Sequence, residues 1–251
     1  MTPRVGLRRL VPRKYLRSQR LLERVLAASG GRVMSGPFAG MRLGDSSFCS
    51  VLTPKLLGTY ELELHGAVEA ALARSPRQVV VAGAAEGFYA VGIALRLPLG
   101  QVTAFEANPE ARDALVDAAR TNGVADRIVV AGLCDAGGMS EALAGVGPAM
   151  VVCDIEGSEG VLIDPAIVPS LLEADILVET HDFLAPGVEE LLVRRFQRSH
   201  RVERIGQRPR RLGDAPALDL PGAFDGALLQ AMNEHRPVRN GWLHLALPRG
   251  N

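Results

Sequence analysis

The sequence has no long hydrophobic run and few cysteines. No apolar segment approaches the roughly 18 residues that a membrane-spanning helix needs, and the first residues lack the continuous apolar block of a secretory signal. The cysteines, Cys49, Cys134 and Cys153, are odd in number and do not have the spacing of metal ligands. We therefore expect a cytoplasmic protein with reduced, buried cysteines and no membrane partner.

Acidic residues are scarce near the N-terminus. Residues 1–32 carry nine basic side chains and one acid, Glu23, although the net charge of the chain is zero. Helical spacing over residues 10–28 places Arg13, Arg17, Arg20 and Arg24 opposite Val11, Tyr15, Leu22 and Val25. Such a helix either docks onto an anionic partner or packs on its own domain or on a second subunit. Aromatic residues do not interleave with the arginines, which argues against nucleic acid as the partner.

From Gln78 onward, short apolar runs alternate with helix-like stretches. Strands are predicted at 78–82, 101–105, 127–131, 149–153, 174–179, 201–206 and 241–247, and helices at 87–97, 109–121, 138–145, 187–197 and 224–234. The first five apolar runs are continuous, as in parallel strands that are buried on both faces. The predicted fold class is therefore α/β, with a doubly wound, mostly parallel sheet in residues 77–251. Residues 1–76, which include a further predicted helix at 55–74, would form an N-terminal helical extension or cap.

The segment "VVVAGAAEGFYAVG" (79–92) joins the first predicted strand to a helix through a glycine-containing loop. Gly83 allows a ligand to approach the main chain, and Gly87 allows close packing where the helix begins. Glu106, at the end of the second predicted strand, is placed to accept hydrogen bonds from the hydroxyls of a ribose. The usual G-x-G-x-x-G of dinucleotide-binding proteins is missing, so the expected ligand is an adenosine compound of another kind.

Glu86 lies inside this loop and bears on the choice of ligand. A helix N-terminus attracts the pyrophosphate of a dinucleotide, and a carboxylate beside it would oppose that binding. S-adenosylmethionine has no phosphate and carries two cationic centres, which an acidic loop tolerates. The alternative is that Glu86 points to solvent as an acid of the first helical turn. An NAD-dependent oxidoreductase is the less favoured enzyme class.

Four segments in order resemble those of class I S-adenosylmethionine-dependent methyltransferases, and in particular the FkbM-like branch. They are "GAAEGFYAVGIAL", "VTAFEANPEA", "NGVADRIVV" and "CDIEGSEG", and the resemblance covers roughly residues 78–182. It implies a seven-stranded Rossmann-like sheet and S-adenosylmethionine as the methyl donor. It also implies methylation of a small molecule such as a sugar or another secondary metabolite, with oxygen as the favoured position. One position departs from the pattern, because Val81 stands where many relatives have an acid.

The resemblance assigns roles to some of the candidate residues, and others follow from the glycine-containing loop and from the helix before the first strand. The candidate cofactor-binding residues are Tyr60, Gly83, Ala84, Ala85, Glu86, Gly87, Tyr89, Glu106, Ala107, Cys134, Asp135 and Asp154. Among them, Gly83, Ala84 and Gly87 would line the amino-acid portion of the cofactor. Cys134 and Asp135 would flank the adenine.

Polar residues follow the fourth and fifth predicted strands, which should be neighbours at the ligand edge of the sheet. The candidate catalytic residues are Asp154, Glu179 and His181. His181 is the preferred base, because imidazole titrates near neutral pH and a hydroxyl acceptor must lose its proton. A structural role for His181 is the alternative. The same carboxylates with one imidazole could hold a divalent cation, but we do not favour a metal on the sequence alone.

Two further segments are candidates for the walls of the site. Tyr60 and Glu61 could reach the pocket from the helix before the first strand, or that helix could be an ordinary amphipathic one. The loop 207–222 could overhang the site, and its three arginines, at 208, 210 and 211, could contact an anionic substrate or face solvent. A non-catalytic partner protein with a degenerate nucleotide-binding fold, and a homo-oligomer formed through the basic helix, also stay open.

Overall fold

The computed structural model describes residues 13–44, 47–48, 50–145, 147–216, 225–236 and 240–248. For residues 13–19 and 225 it describes the backbone alone. The expectations for Val11 and Cys49, for the side chains of Arg13, Tyr15 and Arg17, and for the end of the loop 207–222 therefore lie outside what the structure describes.

A seven-stranded sheet forms the centre of the molecule. Its strands are β1 (Gln78–Ala82), β2 (Gln101–Phe105), β3 (Ile128–Ala131), β4 (Ala149–Cys153), β5 (Ala174–Thr180), β6 (Arg201–Gly206) and β7 (Gly241–Ala246). Their order is β3-β2-β1-β4-β5-β7-β6. Strand β7 is antiparallel to both β5 and β6, whereas the other pairs are parallel. The predicted doubly wound, mostly parallel sheet is confirmed, and it matches the class I methyltransferase type of Rossmann-like fold.

Helices cover both faces of the sheet. In chain order they are α1 (Arg13–Ser29), α2 (Leu52–Leu57), α3 (His65–Leu72), α4 (Phe88–Arg96), α5 (Pro109–Thr121), α6 (Ala136–Ala142), α7 (Glu159–Leu162), α8 (Val188–Phe196) and α9 (Asp225–Ala231). Val79 and Val81 of β1 pack in a core with α3, α4 and α5, whereas Val80 and Ala82 pack with α6, α7 and α8. The continuous apolar run of β1 is explained by this double burial.

The single helix predicted over 55–74 is wrong. Helix α2 ends at Gly58, whose backbone is left-handed (φ 73°) and lies against Ser35, so that a Cβ there would sit 2.1 Å from the Ser35 carbonyl oxygen. A left-handed Glu61 (φ 46°) and a short 3-10 turn, Leu62–Leu64, follow before α3 begins. The break brings Tyr60 to the cavity at the sheet edge, whereas the buried Glu61 does not line that cavity.

The N-terminal helix α1 packs on its own chain. Leu21 and Val25 are buried against Leu56 of α2 and Met232, just after α9, whereas Arg20 and Arg24 are exposed. A bridge between Arg32 and Arg42 closes the turn that follows α1. Within the described residues, no helix combines the length and apolar character required to span a membrane.

Candidate active site

The first and fourth strands meet at the point where the winding of the sheet reverses, because β2 and β3 lie on one side of β1 and β4 and β5 lie on the other. Ligands of open α/β sheets bind at this point, beyond the carboxyl ends of the strands. Gly83 follows β1 with φ 79°, and a Cβ there would lie 1.7 Å from the carbonyl oxygen of Asp154, which follows β4. Only glycine therefore fits between the two strand ends.

Glu106 is fixed by the backbone at the end of β2. The N–H of Ala85 donates to its Oε2 (2.8 Å), and the N–H of Asn108 donates to its Oε1 (2.8 Å). Asn108 in turn caps α5 by accepting from the N–H of Glu110. The Glu106 carboxylate thus lies across the glycine-containing loop with a defined orientation.

A cavity of about 720 Å³ opens at this edge of the sheet. Of the predicted cofactor-binding residues, it is lined by Tyr60, Gly83, Ala84, Ala85, Tyr89, Glu106, Ala107, Cys134, Asp135 and Asp154. The predicted catalytic residues Glu179 and His181 also line it, as do Val81 and Arg236. The structure therefore brings the residues from the ends of β1 to β5 around one space large enough for a nucleoside and a second small molecule.

Two of the predicted cofactor-binding residues, Glu86 and Gly87, do not line this cavity. Gly87 caps α4 with φ 95° and lies against Leu115 of α5. A Cβ at this position would be only 2.9 Å from the Leu115 side chain, so glycine allows the close packing. It shapes the loop without facing the ligand space.

Glu86 faces neither the ligand space nor solvent, so both predicted positions of its carboxylate are wrong. The residue is buried, its carboxylate forms an ion pair with Lys55, and it accepts hydrogen bonds from the N–H of Phe48 (3.0 Å) and from Ser47 (3.2 Å). Since Lys55 balances its charge, Glu86 joins α2 to the loop and does not by itself select the ligand.

The cavity wall is nevertheless acidic. Among the described residues that line it, the carboxylates are Glu106, Asp135, Asp154, Glu156, Glu179 and Glu234. The Lys and Arg side chains on the same wall are those of Lys55 and Arg236, and both are already paired with carboxylates. The space therefore favours a ligand with positive charge and disfavours phosphate.

His181 lies at the centre of a cluster of acids where β4 and β5 end. Its Nδ1 is 2.7 Å from Oε1 of the buried Glu159, and its Nε2 is 3.3 Å from Glu156 and 3.6 Å from Asp154. Burial alone would lower the His181 pKa, but the Glu159 hydrogen bond and the neighbouring carboxylates raise it above its ordinary value. Burial, followed by repulsion from Glu179, raises the pKa of Asp154.

Arg236 closes the wall behind this cluster. Its guanidinium pairs with Glu61 and with Glu179, and its Nε is 3.0 Å from Glu234. Tyr89 donates a hydrogen bond to Glu61. Burial, opposed by Arg236 and reinforced by Glu179, raises the pKa of Glu61 to about 7. Glu179 is thus a buried ion-pair partner as well as a cavity residue.

Two of the three arginines of the loop 207–222 are engaged with acids of the protein, whereas Arg211 is exposed. Arg208 forms an ion pair with Asp214 (2.9 Å), and the largely buried Arg210 pairs with Glu63 and Glu234. Arg208 and Arg210 do not line the cavity.

Sequence reasoning missed Lys55, Arg236 and the role of Glu159 as the partner of His181. Lys55 carried one signal, because it is one of only two lysines in a chain whose other strong cations are arginines. Arg236 carried none, since it stands 57 residues after Glu179 and 175 after Glu61.

No protein-family model matches the chain, and no curated protein matches it. Solved structures do resemble it. Cofactor-bound Rv0187 from MTB is 17% identical with a TM-score of 0.46, over 94% of this chain and 96% of that one. The O-methyltransferase TomG from Streptomyces achromogenes, involved in tomaymycin synthesis and in complex with SAM, is 15% identical with a TM-score of 0.46, over 93% and 95%. An O-methyltransferase from Bacillus cereus in complex with SAH is 16% identical with a TM-score of 0.43, over 79% and 86%. These values are too low to place the chain in a family.

Proposed function

We propose that the protein is an S-adenosylmethionine-dependent methyltransferase that methylates an oxygen of a small molecule. The observation that carries this proposal is the acidic cavity at the switch point of the sheet, whose Lys and Arg side chains are already paired. S-adenosylmethionine presents a sulfonium and an ammonium to such a wall and carries no phosphate. We further propose that the protein belongs to the FkbM-like branch, that its acceptor is a sugar or another secondary metabolite, and that it is located in the cytoplasm.

The residues present fit the cofactor. Gly83 and Ala84 leave the main chain open to its amino-acid portion, and the fixed carboxylate of Glu106 can accept from the ribose hydroxyls. Cys134 and Asp135 line the part of the cavity beyond β3, where the adenine would lie. When bound, the cofactor would supply a methyl group on a sulfonium, from which a neutral thioether leaves readily.

The glycine-containing loop argues against a dinucleotide. In dinucleotide-binding proteins, backbone N–H groups at this loop and the helix behind it hold the pyrophosphate. Here the N–H of Ala85 already donates to Glu106, and a phosphate beside that carboxylate would be repelled. The same loop that tolerates a nucleoside sulfonium therefore disfavours NAD.

The acceptor would lie against the ends of β4 and β5. With both molecules bound, the acceptor oxygen would form the new bond to the methyl carbon, and the carbon–sulfur bonding pair would stay on sulfur. The hydroxyl proton would pass to a base such as His181 or to solvent. The protein's part is to hold oxygen, carbon and sulfur in line and to allow the hydroxyl proton to leave. Asp154 and His181 line the cavity where that hydroxyl would be activated, and Glu179 holds Arg236 behind them.

Thermal unfolding with S-adenosylhomocysteine or with NAD tests the proposal. We expect S-adenosylhomocysteine to stabilise the protein by about 2.7 kcal/mol at 100 times its dissociation constant, and NAD to have no effect. Glu106→Gln should lose most of the stabilisation, because its amide N–H would face backbone donors. Glu110→Gln, at an exposed position in the first turn of α5, is the matched control. Stabilisation by NAD alone would indicate an oxidoreductase, and a response to neither compound would favour a non-catalytic partner protein.

A further inference from the structure

We propose that Asp154, Glu156 and His181 bind a divalent transition-metal ion at the acceptor end of the cavity. One ligand atom from each residue lies within 4.8 Å of the others. His181 Nε2 is 3.3 Å from Glu156 Oε2 and 3.6 Å from Asp154 Oδ1. Two ligands that are each about 2.1 Å from an ion, at 90–110° to each other, are about 3.0–3.4 Å apart. The observed spacings need only small side-chain adjustments to accept an ion.

The second observation is an imidazole nitrogen without a partner. His181 is 1% exposed, yet its Nε2 has no hydrogen bond to any described residue, and Asp154 Oδ1 next to it has none either. Buried polar atoms are almost always hydrogen-bonded, because leaving one unpaired costs about 1–3 kcal/mol. Both unpaired atoms face the same small space, and an ion there would satisfy them together.

Glu159 prepares the imidazole for this role. Its fully buried carboxylate lies 2.7 Å from His181 Nδ1 and also accepts from the N–H of Gly157 (3.0 Å). A proton held on Nδ1 by Glu159 leaves the lone pair of the neutral ring on Nε2, directed at Asp154 and Glu156. Metal-binding histidines are commonly oriented by a carboxylate in this way.

The donor set narrows the choice of ion. Two carboxylates with one imidazole suit Mn²⁺ and similar first-row ions, whereas Mg²⁺ prefers oxygen ligands throughout. The positive charge would also relieve the repulsion among Asp154, Glu156 and the nearby Glu179. The neighbouring cation Arg236 is held by Glu61, Glu179 and Glu234 instead.

The consequence for catalysis rests on the proposed function. Three protein ligands leave positions on the ion for the acceptor oxygen, and coordination lowers the pKa of a hydroxyl so that its proton passes to solvent before the attack. His181 would then be a metal ligand, not the general base that the sequence favours.

The test is titration of the full chain with Mn²⁺ alone, after dialysis against a chelator, followed by the loss of the free Mn²⁺ signal in electron paramagnetic resonance. We expect one ion per chain. Glu156→Gln should weaken binding at least tenfold, and because its side chain is 64% exposed the substitution leaves the fold intact. Glu141→Gln, which removes an exposed carboxylate on α6, should bind Mn²⁺ like the parent protein.

Three outcomes would overturn the metal site: no bound ion, an ion that Glu156→Gln retains with equal affinity, or equal weakening by Glu141→Gln. S-adenosylhomocysteine binding, measured on the same metal-free sample, separates the two proposals. If S-adenosylhomocysteine binds and Mn²⁺ does not, the metal site fails and the methyltransferase stands. If Mn²⁺ binds and S-adenosylhomocysteine does not, the metal site stands and the proposed function fails.

Discussion

Gly83 is required for the close approach of β1 and β4 at their carboxyl ends. In Gly83→Ala the new methyl group would overlap the carbonyl oxygen of Asp154, which is backbone and cannot turn away. The substitution therefore has to push β1 and β4 apart at their carboxyl ends. We expect it to lower the free energy of unfolding by at least about 3 kcal/mol and to abolish S-adenosylhomocysteine binding, as measured by denaturant titration and calorimetry.

Gly40→Ala is the matched control for Gly83→Ala. Gly40 also has a positive φ (91°), but no described atom lies within 4 Å of the place that a Cβ would take. It should show only the backbone strain of a left-handed alanine, about 1–2 kcal/mol, with ligand binding intact. Equal losses in the two variants would mean that backbone strain, and not the contact with Asp154, explains the need for glycine.

At the scale of elements, the strands and their ends were predictable and the pairings between distant segments were not. The apolar runs of β1, β2 and β4 are local signals, so their bounds follow from the sequence, and so do the positions of Gly83 and Glu106. The break after α2 was missed, because the need for a left-handed Gly58 comes from Ser35, more than twenty residues away. For the same reason, the ion pairs of Lys55 and Arg236 could not be inferred from local spacing.

The pair Lys55–Glu86 joins α2 to the glycine-containing loop and can be tested as a unit. Both side chains are almost fully buried, so Lys55→Met leaves the Glu86 carboxylate uncompensated. We expect a loss of about 3–5 kcal/mol in the free energy of unfolding for this variant. The double variant with Glu86→Gln should recover a large part of it, because no buried charge is left over. Additive losses in the double-mutant cycle would show that the two groups do not interact.

At the scale of the whole molecule, the net charge is zero but the charged side chains are unevenly distributed. The chain has as many acidic as basic side chains, yet the arginines collect near the N-terminus while carboxylates collect around the cavity. Arg236 is where three parts of the chain meet: the break before α3 at Glu61, the end of β5 at Glu179, and Glu234 after α9. The half-buried Arg236 therefore pairs with some of these acids, and the other carboxylates keep the cavity acidic.

This arrangement predicts how stability depends on pH. The pKa of Glu61 is about 7 in the folded protein, above the ordinary value of 4.5 that it regains on unfolding. Between these two values the folded state binds more protons than the unfolded state, so the contribution of Glu61 to stability falls as pH rises from about 4.5 to about 7 and is constant above. Glu61→Gln cannot ionise. Its single amide oxygen can still accept from Arg236, and its N–H can donate to the Tyr89 hydroxyl oxygen. Urea unfolding across this pH range should therefore show a smaller loss of stability for Glu61→Gln than for the parent, by up to a few kcal/mol.

Glu173→Gln, at an exposed position, should follow the parent curve, and a Glu61→Gln curve parallel to the parent would refute a raised pKa at this site.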